Sequence, residues 1–375
     1  MGSFWLCLRR LICSSFSGCR SLHSVSPHAK RTGNRRDCRH TRTLSPPLPF
    51  PGLSIVIFTI LLSSQNVSGG EFDFLHEHPG KMSATITGSH IQLKKTEAAA
   101  FKRNLEHLLS LLSRQPALKS PRGVEIKGYF RPNDYQPKTN KVPIPGFGYL
   151  RFHSYFRDTK TGKPVPFGFP TDEMFVSVND PEKGLSACTV PGAPTRVFYE
   201  PNQVGELAGF PHYQLEGGTD VIVMSRSTVP PWIPLTREEY VKGWLANWQK
   251  QAAEAPAIDT ITPQIVRSHQ EALAVMTQEE RRMQARELQW DPFQPTLAPV
   301  GSDEGQPLVR VNPAWFDPKL PRSAFQLITI MFSYSGTVKQ DAPGPTEFGD
   351  IAPYRVWQAL HTSDWAAISG ALTDK

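Results

Sequence analysis

The sequence predicts an α+β fold: an antiparallel sheet with an N-terminal amphipathic helix and C-terminal helices packed on it, plus a helical excursion. Three observations carry that expectation. Several short segments alternate apolar and polar residues with the period of two that marks a half-buried strand. Others repeat apolar residues at three- and four-residue steps. The 35 prolines among 375 residues fall mostly between these segments, which favours a loop-rich, partly β architecture.

In chain order, residues 1–69 read as a leader that is removed. Residues 1–50 hold nine Lys or Arg against one acid, Asp37. The run Leu53 to Leu62 is apolar but about half the length of a membrane-spanning helix, the size of a signal-peptide core. Small residues follow, and cleavage near Ser68–Gly70 is expected. The chain is therefore read as exported, periplasmic or extracellular, with mitochondrial targeting as the rival because the leader is rich in Arg and Ser. Asn66-Val-Ser68 is a glycosylation sequon by pattern alone. Four of the five cysteines (Cys7, Cys13, Cys19, Cys38) lie in the leader and only Cys188 lies beyond it, so no disulfide framework is expected.

Residues 70–235 are expected to form a β-rich core. Glu71 to Leu93 reads as irregular. Ala98, Phe101, Leu105, Leu108, Leu109 and Leu112 predict a helix over 96–114, ended by Pro116. Strands are expected at 124–131, 147–157, 174–178, 196–199 and 220–225, with a hairpin turn at Asp158 to Gly162 where Gly162 is free to take positive φ. Residues 236–290 are expected to be a helical insertion. Thr236-Arg-Glu-Glu239 and Thr277-Gln-Glu-Glu280 are capping boxes, the second opening a helix to about Leu288, and Thr262-Pro263 opens a helix between them. Residues 291–375 complete the core: a linker over 292–307, a short strand at 308–311, a doubly buried strand at Phe325 to Phe332, and helices at 353–361 and 364–372, the last capped by Ser363.

Composition and motifs narrow the function. Outside residues 1–50 the chain has 32 basic and 33 acidic residues, so no global field attracts phosphate and nucleic acid is not expected as a partner. No stable membrane span is expected in the mature chain, and no cofactor. The phosphate-binding loop, the dinucleotide fingerprint, the nucleophile elbow and the common zinc and calcium patterns are all absent. The leading expectation is a non-enzymatic binding or structural module with an unknown ligand or protein partner; the rival is a hydrolase.

The binding candidates are Trp232, Tyr240, Trp244, Trp248, His153 and His212. Tyr240, Trp244 and Trp248 share one helical face; exposed, they would form a docking strip, but Val241 and Leu245 widen the same stripe and favour burial. For a hydrolase, His153 or His212 would serve as base, with Cys188 as nucleophile or with Asp172–Glu173 or Glu216–Asp220 as paired carboxylates. Cys188 reads more simply as a small core residue. His76-Glu77-His78 resembles a metal cluster, but zinc needs further ligands that the sequence does not offer, so no metal is expected.

Overall fold

A computed structural model describes residues 72–88, 93–133, 143–170, 172–185, 188–190, 193, 196–215, 218–254, 262–289, 291, 296–334 and 350–373. The leader, its apolar run, the cleavage region, the sequon, Glu216 and four of the cysteines lie outside the described residues.

Met82–Ile86 (β1) is a strand, not an irregular stretch, and it pairs parallel with Val124–Pro132 (β2). Met82, Ala84 and Ile86 pack on the main core while Ser83 and Thr85 face outward, so the alternation was present over five residues. The sheet is accordingly mixed, not purely antiparallel. Between them Lys95–Ser113 (α1) buries Phe101, Leu105, Leu108 and Leu112, the apolar stripe read from the sequence, and Pro116–Lys119 (α2) follows.

Gly146–Arg157 (β3) pairs antiparallel with β2, with Pro164–Pro166 (β4) and with Asp172–Val178 (β5). The turn between β3 and β4 has Gly162 at φ +66, and the Asp158 carboxylate accepts from the Lys160 and Thr161 amides at 2.7 and 3.0 Å. Pro181–Gly184 (α3) and Val197–Tyr199 (β6) follow. The hairpin Asn202–Leu207 (β7) and Phe210–Gln214 (β8), absent from the sequence reading, precedes Asp220–Ser225 (β9). Much later, Leu327–Ser333 (β13) inserts between β5 and β9, antiparallel to both. The order is β1-β2-β3-β5-β13-β9-β8-β7, with β4 on β3.

One face of this sheet is covered by helices. Phe130, Leu150, Phe152, Met174, Val176, Ile222, Met224, Ile328, Ile330 and Phe332 pack with the buried side of α1 and with Val356, Ala359, Leu360, Trp365 and Ile368. The last five come from Ala352–Thr362 (α7) and Trp365–Ile368 (α8). Two glycines on β3 make the packing close: a Cβ at Gly148 would lie 2.3 Å from the Phe130 ring, and one at Gly146 would lie 2.8 Å from Phe101. The cap of α8 is Asp364, whose carboxylate accepts from the Ala367 amide; Ser363 instead donates to the Ala359 carbonyl. The side chain nearest the free amides of the first turn takes the cap, and that is one residue later than expected.

Asn179, left-handed at φ 53 and only 3% exposed, ties this core together. Its amide donates to Ile144 and Ala324 carbonyls at 3.0 and 2.8 Å, and its oxygen accepts from the Gln326 and Leu327 amides at 2.9 and 3.2 Å. All of its hydrogen-bonding capacity is used.

A second, smaller sheet corrects the single-sheet expectation. Trp232–Pro234 (β10), Arg286–Glu287 (β11) and Gln306–Val311 (β12) associate with β6 on β12, so residues 196–199 belong here. Arg237–Glu254 (α4), Thr262–Val275 (α5) and Gln278–Arg282 (α6) lie between β10 and β11. Both capping boxes are formed: the Thr236 amide donates to Glu239 Oε2 at 2.9 Å and the Glu239 amide to Thr236 Oγ1 at 3.2 Å, with the same exchange between Thr277 and Glu280. The helix after Thr277 ends at Arg282 rather than Leu288, because 286–287 pairs with 306–307, where the sequence suggested helix and linker. The Ala285 amide also donates to the Leu235 carbonyl at 2.8 Å.

Candidate functional site

The two faces of the large sheet differ in cover. On the second face Val221, Val223 and Leu327 are buried against Phe198, Val309, Trp315, Leu185 and Cys188, so the smaller sheet lies over the β9–β13 half. The β2–β3–β5 half carries a different set. Strand register places Tyr129 opposite Tyr149, and Tyr149 opposite Phe175; Phe147 lies two residues before Tyr149 and so shares its face. Ring centroids are 5.4 Å apart for Tyr129–Tyr149, 4.8 Å for Tyr149–Phe175, 5.8 Å for Phe147–Tyr149 and 6.2 Å for Phe147–Phe175. All four rings are half-buried, and none belongs to the buried clusters.

Cations border these rings. Arg131 places its guanidinium carbon 4.8 Å from the Phe147 centroid, and Arg151 places its own 5.2 Å from that of Tyr149. Lys127 sits opposite Arg151 in the next row. Arg151 is 3.5 Å from Glu173, and Glu125 is held by Lys127 at 2.7 Å and Lys81 at 3.3 Å. Desolvation lifts the Glu125 carboxyl, but the two lysines outweigh it and hold the group below the usual carboxylate range. Desolvation raises the Tyr149 phenol, with Tyr129 and Glu173 adding to the rise. The sequence signal for this surface is the outward half of the expected strands, the positions that alternate with the core residues.

A second cluster lies on the helix-covered face near the far edge. His212 Nε2 is 2.8 Å from Asp220 Oδ1, and the Tyr334 hydroxyl donates to Asp220 Oδ2. With a carboxylate as its partner, His212 carries its proton on Nε2 when neutral and leaves Nδ1 as a base. Burial, and then Asp220, raise the Tyr334 phenol. His361 of α7 lies against Trp357 at 4.4 Å between ring centroids. Desolvation there lowers its pKa, opposed by Asp220 and assisted by His212. The structure thus joins His212 and Asp220, two of the residues singled out by sequence, with Tyr334, which was not.

The remaining candidates are dispersed. His153 is buried, its Nδ1 2.9 Å from the Phe167 carbonyl. Cys188 is buried in the cluster with Phe198 and Val309, as expected of a core residue. Asp172 and Glu173 cannot act as a pair, because adjacent strand residues point to opposite faces; Asp172 is buried and Glu173 faces Arg151. Glu77 pairs with Arg122 at 3.6 Å and Arg355 at 3.7 Å, and His78 packs edge-on to Tyr155, so the His76–His78 stretch fastens the chain rather than gathering ligands. Among the described residues, no three His, Cys, Asp or Glu are grouped to hold a metal ion, and no helix is long and apolar enough to cross a membrane.

The aromatic ladder of α4 faces inward. Tyr240 and Trp244 are buried at 1% exposure each, with Trp248 half-buried beside them. Trp232 is half-buried and meets Tyr213 at 5.0 Å. The Tyr240 and Tyr199 hydroxyls both donate to the buried Glu287 carboxylate. Desolvation and that bond push the Tyr240 phenol above the ordinary tyrosine range. Near Trp244, His269 is fully buried with Nδ1 2.7 Å from the Ile265 carbonyl. A carbonyl only accepts, so Nδ1 carries the proton, and Nε2 is left buried without a hydrogen-bond partner. Desolvation keeps this imidazole below its ordinary pKa.

No protein-family model matches the chain, and neither the curated proteins nor the solved structures contain a match.

Proposed function

We propose that the chain is an exported binding module whose contact surface is the β2–β3–β5 half of the large sheet. The observation that carries this reading is the contiguous set of Tyr129, Phe147, Tyr149 and Phe175, bordered by Arg131 and Arg151 and outside every buried cluster. Partly exposed rings with arginines beside them combine a large apolar contact with a polar handle, the composition enriched where proteins meet ligands. The inward burial of Tyr240 and Trp244 removes the alternative aromatic strip from contention. The test is a panel of soluble glycans, peptides and oligonucleotides presented to the wild type and to a Tyr129→Ala/Tyr149→Ala double variant. A member that binds the wild type and is lost from a variant that still melts cooperatively supports the proposal. A panel with no binder, or with binding unchanged in the variant, overturns it.

A second reading, a hydrolase, is favoured by the His212–Asp220–Tyr334 arrangement. An imidazole oriented by a carboxylate that also accepts from a tyrosine hydroxyl is a general-base geometry. If this reading holds, His212→Gln removes hydrolysis of at least one chromogenic ester or glycoside while leaving the melting transition in place; a panel with no turnover by the wild type counts against it.

A further inference from the structure

Resting on that binding reading, we propose that the open half of the sheet takes single-stranded RNA, with unpaired bases on Phe147, Tyr149 and Phe175 and phosphates on Lys127, Arg131 and Arg151. The motif is in β3. Sheets that stack bases use a strand of the form Lys/Arg-Gly-aromatic-Gly/Ala-aromatic-Val-x-aromatic, whose first two aromatics face the nucleic acid. Gly146-Phe147-Gly148-Tyr149-Leu150-Arg151-Phe152 follows that spacing, with Leu for Val; Pro145 stands where the pattern has its leading basic residue.

The geometry supplies the reason for each position. Gly146 and Gly148 face the helices, where any Cβ would strike Phe101 or Phe130, and Leu150 and Phe152 are in the core. Phe147 and Tyr149 therefore fall on the opposite face, where both are half-buried. The neighbouring antiparallel strand adds Phe175 directly across from Tyr149. The likeness is one of strand and platform, since the strand order of the sheet is the chain's own.

The ring angles favour a flexible single strand over a flat ligand. Phe147 and Phe175 are inclined by only 30°, but Tyr149 between them is inclined by 55° to Phe175 and 83° to Phe147, and Tyr129 by 45° to Tyr149, so the four rings do not share one plane. Unstacked bases rotate independently and each can meet its own ring. A duplex hides those base faces. The cations lie along both sides of the rings. The Arg151–Glu173 pair joins two exposed groups and exchanges readily; Lys127 is exposed but reaches to the buried Glu125, which Lys81 also holds. Glu173 also places a carboxylate beside the rings, an acceptor for a ribose 2′-hydroxyl that deoxyribose cannot use. The near-neutral balance of the chain beyond its leader supplies no long-range attraction to phosphate, so RNA binding departs from the composition-based expectation and rests on these local cations and rings alone.

The experiment is fluorescence anisotropy of short labelled oligo(U), oligo(dT) and duplex RNA with the purified chain. Saturable oligo(U) binding, tighter than for oligo(dT) or the duplex, is expected. Its logarithmic salt slope should be about −2, the value for roughly three phosphates neutralised on a single strand. Phe147→Ala and Tyr149→Ala should each weaken it about tenfold. Arg151→Glu and Lys127→Glu, both at exposed positions, should weaken it as well and serve as independent variants if the ring replacements fail to fold. Absent oligo(U) binding overturns the RNA assignment, as does oligo(U) binding that survives all four variants. If a glycan or peptide binds in a Tyr149-dependent manner while oligo(U) does not, the ligand class is wrong and the platform stands. Oligo(dT) binding tighter than oligo(U) likewise overturns the choice of RNA.

Discussion

Val221, Val223 and Leu327 occupy the same face of the same sheet as Tyr129, Tyr149 and Phe175, yet the first three lie beneath Phe198, Val309 and Trp315 while the aromatic trio joins no buried cluster. The two halves differ in residue type as well as in cover. The covered half uses compact aliphatic groups that interdigitate with a second layer. The open half uses large rings that contact one another across strands, with guanidinium groups lying over them. A surface that only needed solubility would present polar residues there. Rings that carry their own lateral packing keep their shape without joining a buried cluster among the described residues, which is what a preformed contact surface requires.

That contrast sets an order of effects. The largest belongs to the helix-covered face: Phe332→Ala should cost about 3–5 kcal/mol in denaturant unfolding, because a fully buried ring leaves a cavity. A cost as small as that of an exposed substitution would mean the β13 layer is not core. Next comes Asn179→Ala, with an expected loss of about 2–4 kcal/mol, since two buried carbonyls and two amides lose their partner and a left-handed backbone keeps a less suitable residue. Calorimetry showing no loss would deny that Asn179 locks β5 to the start of β13.

Acid acts on the helical insertion through His269, and on the helix-covered face through His361, whose pKa desolvation also lowers. His269 has its pKa depressed in the folded state, so the unfolded chain binds its proton first. Its contribution is complete above the unfolded value, about 6.5, and is lost as pH falls through the lower folded one. Wild-type unfolding free energy should therefore drop between neutral pH and pH 5, and His269→Leu should flatten that part of the curve. An unchanged slope in the variant would place the acid sensitivity elsewhere. Smaller still, Thr277→Ala should cost about 1 kcal/mol through loss of the capping box, measured by the same titration.

How much of this was legible depends on what each element uses for information. Local patterns read correctly: the stripe of α1, both capping boxes, the alternation of β2 and β3, and the apolar run at Leu327–Phe332. The strand Met82–Ile86 was missed because five residues with only Met, Ala and Ile inward give a weak signal. The hairpin 202–214 was missed for a related reason: Asn202 to Glu206 are exposed, so no apolar face advertised them. Separation of residues 196–199 and 306–311 into a second sheet rests on pairing between segments more than one hundred positions apart, which periodicity does not encode. Tyr240 and Trp244 were rightly weighed toward burial by the width of their stripe. The site is less legible. Asp172–Glu173 precedes the strand expected at 174–178, and only the observed start of β5 at Asp172 puts the two carboxylates on opposite faces; Tyr334 reaches Asp220 only through tertiary contact. The open rings were visible as the outward positions of recognised strands, but whether a second layer covers such positions is decided elsewhere in the chain.

The central claim is that Tyr129, Phe147, Tyr149 and Phe175 form a solvent-accessible contact surface and not a second core, and hydroxyl-radical footprinting of the folded protein, read by mass spectrometry, addresses it without knowledge of the ligand. The account predicts that these four rings are oxidised far faster than Phe130, Phe152, Phe332 and Tyr240, each at most 1% exposed. Protection of Tyr129, Phe147, Tyr149 and Phe175 equal to that of those core rings would contradict it.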